Sequence, residues 1–144
     1  MKKNLLYSVA LVGSLFVNTA FAQTFVSNLS PANERPDPFD TPMAGLAVGV
    51  ATVNDDGTSS MLVIVSAFGN ETPITASHVH IGTADDAGPV ICPLAGPEFT
   101  NPVIGTCNFD VDQTTALFAG NLYVNVHTMA HPGGEIRDQL NFVQ

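Results

Sequence analysis

Three of the four histidines stand where they could share one piece of chemistry. In Ser77-His78-Val79-His80-Ile81 apolar and imidazole side chains alternate. On a strand, Val79 and Ile81 face one way while His78 and His80 face the other. In Asn121-Leu122-Tyr123-Val124-Asn125-Val126-His127 the aliphatic residues again share one face, which leaves His127 with Asn121, Tyr123 and Asn125 on the opposite one. An H-x-H pair on a strand with a third histidine from a neighbour suits zinc or copper, because neutral imidazole nitrogens reach one ion from the same side. Glu34 or Glu135 could add an oxygen ligand or a supporting hydrogen bond. The competing reading has the same histidines bonded to backbone groups or carboxylates at the rim of the fold, with no metal. His131, in Ala130-His131-Pro132-Gly133-Gly134, reads as a solvated turn residue.

Little else in the chain proposes catalysis. It has no G-x-S-x-G elbow, no HExxH helix and no phosphate-binding glycine loop, so no catalytic residue is assigned. The 13 acidic residues read as solvated surface rather than as a reacting pair. Glu135 and Arg137 alternate on an expected strand and read as a structural ion pair, with a bond from Arg137 to a nearby acidic loop as the alternative. Cys92 and Cys107 lie fifteen positions apart and are expected to form a disulfide in an oxidising compartment. Closing a loop of that length stabilises a fold by roughly 3 kcal/mol. A two-thiolate metal site is the weaker alternative, since neither cysteine has a second one or a histidine close by in sequence.

The elements that must position these residues are strands. Runs rich in Val, Ile, Thr and Phe recur between Gly, Pro, Asn and Asp clusters, and helical periodicity is scarce. Strands are expected at Thr24–Leu29, Leu46–Val53, Ser60–Phe68, Thr75–Ile81, Val90–Leu94, Val103–Phe109, Leu122–His127 and Glu135–Phe142. Asn54-Asp55-Asp56-Gly57 should turn the second into the third as an antiparallel hairpin. The proline-rich stretch between Ser30 and Gly45 reads as an ordered loop or edge. A turn or two of helix is expected before Gly120, with Asp112 or Thr114 as its cap. The fold class is therefore all-β, an antiparallel sandwich or barrel of about eight strands.

The first residues place this domain. Lys2 and Lys3, an apolar run from Leu5 to Val17 and Ala20-Phe21-Ala22 have the anatomy of a cleavable secretory signal, residues 1–22, followed by one domain over 23–144. No apolar stretch of roughly 20 residues suggests a membrane anchor. The protein is expected in the periplasm or outside the cell. Without residues 1–22 only Arg35 and Arg137 remain as fixed cations against 13 acidic residues, a formal charge of −11. Such a surface excludes nucleic acid as a partner and disfavours anionic membranes.

Three groups of residues, in this order, resemble the CHRD domain, a module of the extracellular antagonist chordin and of many secreted microbial proteins. They are Asn33-Glu34-Arg35-Pro36; His78-Val79-His80-Ile81-Gly82 with Gly88-Pro89-Val90; and Tyr123-Val124-Asn125-Val126-His127-Thr128 running through Pro132-Gly133-Gly134 to Glu135-Ile136-Arg137. The resemblance spans nearly all of residues 23–144 and implies an immunoglobulin-like β-domain. A fainter likeness to copper–zinc superoxide dismutase covers His78-Val79-His80 and the cysteine pair alone. The leading reading is a non-enzymatic binding or interaction module with a protein or small-molecule partner, holding copper or zinc through the three histidines. A metal-dependent redox enzyme using the same residues and a purely structural surface component are the alternatives.

Overall fold

The structure is a computed structural model that describes residues 21–96 and 99–144; the expected signal segment, apart from Phe21 and Ala22, lies outside them. Two antiparallel sheets face each other. The first runs in the order β6-β3-β2-β1-β9, built from β1 (Ala22–Leu29), β2 (Ala44–Val53), β3 (Ser59–Phe68), β6 (Val103–Phe109) and β9 (Asn141–Val143). The second runs β5-β4-β7-β8, built from β4 (Ile74–Ile81), β5 (Val90–Ala95), β7 (Leu122–Thr128) and β8 (Ile136–Gln139). The sheets do not close on each other, so the fold is a sandwich and not a barrel.

Alternation builds the core. Phe25, Ala47, Ala51, Met61, Val63 and Val65 point inward from the first sheet, and Val79, Leu122, Val124, Val126 and Ile136 from the second. The outward rows of β2, β3 and β6 remain apolar in part, with Leu46, Leu62, Ile64 and Ile104 exposed. Asp55 and Asp56 turn β2 into β3 without positive φ; only Gly57 adopts it, at φ 83°. The hairpin is closed by Asn54 N–H donating to Thr58 O at 2.8 Å.

The two open edges of the sandwich are tied differently. On one, Cys92 of β5 and Cys107 of β6 form the expected disulfide, with Cα atoms 5.8 Å apart, and so join the edge strands of opposite sheets. On the other, the chain passes from β8 to β9. The single strand expected over Glu135–Phe142 is thereby divided: Leu140 is fully buried at the bend, and its N–H donates to Leu122 O at 2.8 Å. The apolar character of Leu140 and Phe142 looks like continuation in sequence, yet each half pairs with a different sheet.

The helix also begins earlier than expected. It spans Val111–Phe118 (α1) and is capped by Asp110, not Asp112 or Thr114, because Asp110 and Gln113 form a reciprocal capping box. Gly120 ends it at φ 74°. Between β1 and β2 the proline-rich segment crosses from the first sheet to the second. Ser30 bridges to Arg137, a short 3₁₀ turn covers Pro31–Asn33, and the loop then lies over the outer face of the second sheet.

Candidate metal centre

The outer face of the second sheet is polar and largely covered. Val79 and Val124 pair back to back with the core, and the same alternation turns His78, His80, Tyr123, Asn125 and His127 outward. The register sets His78 opposite Asn125 and His80 opposite Tyr123, so His127 reaches His78 diagonally. Irregularities in register flank the histidines, between Ser77 and His78 and between Val79 and His80 against β5, and between Ile74 and Ala76 against β7. Bulges of this kind re-aim side chains next to functional sites.

The three imidazoles converge as expected. Their ring centroids lie 4.8 Å (His78 to His127), 5.7 Å (His78 to His80) and 5.9 Å (His80 to His127) apart. One nitrogen from each falls within 4.8 Å of the others. Hydrogen bonds determine which nitrogens these are. His80 Nδ1 lies 2.8 Å from Gly88 O and His127 Nδ1 lies 3.0 Å from Pro132 O. A carbonyl only accepts, so both Nδ1 atoms carry the proton and both Nε2 atoms keep a lone pair when neutral. His80 Nε2 is buried and has no partner among the described residues. His127 Nε2 lies 3.1 Å from His78 Nδ1.

Ligand chemistry follows from this arrangement. At a usual metal–nitrogen distance of about 2.0–2.1 Å, two nitrogens 3.1 Å apart subtend an angle of about 100°. The ligand nitrogens lie within 4.8 Å of one another, so a shared ion draws the third one inward by on the order of 1 Å. The carbonyl–imidazole bonds orient the rings from behind, as outer-shell partners of metal-binding histidines do. Burial holds all three histidines below the usual imidazole range, with His80 pushed down to about 4 against the pull of its Gly88 bond. They are therefore neutral at pH 7, the state in which imidazole binds a metal.

Neither carboxylate expected as a ligand joins this set. Glu34 Oε2 accepts from Asn125 Nδ2 at 3.4 Å and so sits beyond Asn125. Glu135 Oε2 accepts from Thr128 Oγ1 at 2.5 Å, on the strand position next to His127 and hence on the opposite face. Glu135 also makes no ion pair with Arg137. The Arg137 guanidinium donates to Asp86 O at 3.1 Å, Thr83 O at 3.0 Å and Gln139 Oε1 at 3.3 Å, so it binds the acidic loop through its carbonyls. Its plane lies 3.6 Å over the Tyr123 ring, which stacks in turn on His80 at 4.8 Å and 13°. His131 is not a free turn residue: it is half-buried and stacks on Phe39 at 4.2 Å.

Sequence reasoning missed Gly88 and Pro132, because they act through backbone carbonyls. Gly88 is required for space as well. A Cβ there would lie 1.7 Å from Ile81 O, and the same residue exchanges bonds with Tyr123 Oη.

No curated protein and no solved structure matches this chain. Residues 25–140 match the CHRD domain family, and this span holds the histidine cluster, the disulfide and all of the strands except β9 and the start of β1; the chain belongs to the CHRD domain family.

Proposed function

We propose that this chain is an extracytoplasmic binding module that holds Cu²⁺ or Zn²⁺ through His78, His80 and His127. The observation that carries the reading is the tautomeric arrangement. The Gly88 and Pro132 carbonyls accept hydrogen bonds from Nδ1–H of His80 and His127, which leaves both Nε2 atoms with a lone pair in a cluster completed by the half-buried His78. A cluster that served only to hold strands together would have no use for an unpartnered buried Nε2 on His80. The soft-to-borderline imidazole set favours these two ions over Mg²⁺ or Ca²⁺, which prefer oxygen. Secretion is supported by the anatomy of residues 1–22 and by the disulfide. Membership of the CHRD family supports an interaction role for the module, with a protein or small-molecule partner.

Protein purified without a polyhistidine tag, titrated with Cu²⁺ and Zn²⁺ in excess Mg²⁺, tests this reading. One ion per chain is expected, with affinity falling at least tenfold in His78→Ala, His80→Ala and His127→Ala. If all three variants bind as tightly as the parent, the histidines are structural and the metal is no part of the function.

A further inference from the structure

Beside the metal cluster, and sharing with it only Pro132, lies a cavity of about 250 Å³ between the proline-rich loop and the turn at Ala130–Gly134. Glu34 forms part of its wall. That residue is only 3 % exposed, and its Oε1 has no hydrogen-bond partner among the described residues. A buried carboxylate oxygen without a partner is costly, and such groups mark ligand sites when they border a cavity.

The chain's own cations do not supply that partner. Arg35 Nη1 is bonded to the carbonyls of Glu34 and Ala32, and its Nη2 approaches Asp85 at 4.0 Å. Arg137 is held by the Thr83 and Asp86 carbonyls and the Tyr123 ring. The only lysines, Lys2 and Lys3, fall in the segment proposed to be removed. Phe39, stacked on His131, and Pro36 add an apolar wall, and Asp37 a second acidic group.

We propose that this cavity binds a primary ammonium group, presented by a free alkylamine or by the lysine side chain of a partner. Three N–H donors on a compact cation satisfy an orphaned carboxylate oxygen, and the methylene stem lies along Phe39. At about 250 Å³ the cavity lies just below the usual range of small-molecule pockets and has room for a short alkyl stem. Burial pushes the Glu34 carboxyl up to about 7, against the weaker opposing pull of Arg137, Asn125 and Arg35. The acidic surface of the molecule would draw such a ligand in. This site stands whether or not the three histidines hold a metal.

The test is a calorimetric and NMR titration of the mature, disulfide-bonded protein at constant ionic strength, with n-butylammonium, Nα-acetyl-lysine methylamide and tetramethylammonium as probes. Saturable one-to-one binding of both primary ammonium probes is expected, with tetramethylammonium, which has no N–H, at least tenfold weaker. Glu34→Gln should weaken binding at least tenfold, whereas Asp112→Asn, on exposed helix surface, should leave it unchanged. Phe39→Ala, which keeps the carboxylate, should weaken butylammonium several-fold and serves as the readout if Glu34→Gln fails to fold. Tighter binding of the lysine derivative assigns the site to a protein partner, and tighter binding of butylammonium assigns it to a free amine. Weak binding that does not saturate, or equal binding by parent and Glu34→Gln, overturns the proposal and leaves water as the occupant.

Discussion

At the scale of single residues, the shared face of His78, His80 and His127 could be read directly from strand alternation. Their chemistry could not, because two carbonyls, eight and five residues away in the chain, choose the tautomers. Gly88→Ala tests that dependence: the added Cβ has no room against Ile81 O, so the carbonyl must move off His80. Metal affinity should fall about 10- to 100-fold, the usual effect of losing an outer-shell partner, in the same Zn²⁺ titration; an unchanged affinity would show that the carbonyl plays no part. The titrating groups also make a signed prediction. The histidines titrate lower folded than unfolded, so between about 6.5 and 4 the unfolded chain binds more protons and stability is lost as the pH falls. Glu34 works the other way. Raised from 4.5 to about 7, it lowers stability as the pH climbs through that interval. Glu34→Gln should therefore melt several degrees above the parent at pH 8, on the order of 1 kcal/mol or more, and close to it at pH 4. Equal melting temperatures at pH 8 would mean that the buried carboxylate costs nothing.

At the scale of elements, the strands were legible wherever one periodicity ran unbroken between turn residues. The hairpin at Asn54–Gly57 and the strand carrying His78 and His80 are examples. The final strand was not, because Leu140 satisfies the apolar pattern of both sheets and only tertiary packing divides β8 from β9. The expected Glu135–Arg137 ion pair failed for a similar reason. Alternation would set the two side chains on one side, but Glu135 lies just before β8 and turns its carboxylate to Thr128 on the opposite face, while Arg137 takes the carbonyls of Thr83 and Asp86 and the ring of Tyr123. The disulfide links two edge strands that no backbone hydrogen bond joins, so its loss should be felt across the sandwich. Replacing Cys92 and Cys107 together by alanine should lower stability by roughly 3 kcal/mol, read from urea unfolding; a change below about 0.5 kcal/mol would show that the sandwich edge holds without it.

At the scale of the whole molecule, the Cys92–Cys107 disulfide and membership of the CHRD family fit an extracellular domain. Intact mass should show a secreted chain beginning at Gln23 that takes up alkylating reagent only after reduction; a secreted product that retains residues 1–22 would contradict the cleavage. The three-layer stack of Arg137, Tyr123 and His80 emerges only when the sandwich is assembled, since it joins residues from three different strands. The central claim is that this assembled face holds a metal through imidazole. X-ray absorption at the zinc edge, on untagged protein loaded with one equivalent of Zn²⁺, tests it most directly. The account predicts a first shell containing three imidazole nitrogens at about 2.0–2.1 Å, with the outer-ring scattering of histidine. A shell of oxygen atoms alone, the signature of ions held by surface carboxylates, would contradict it.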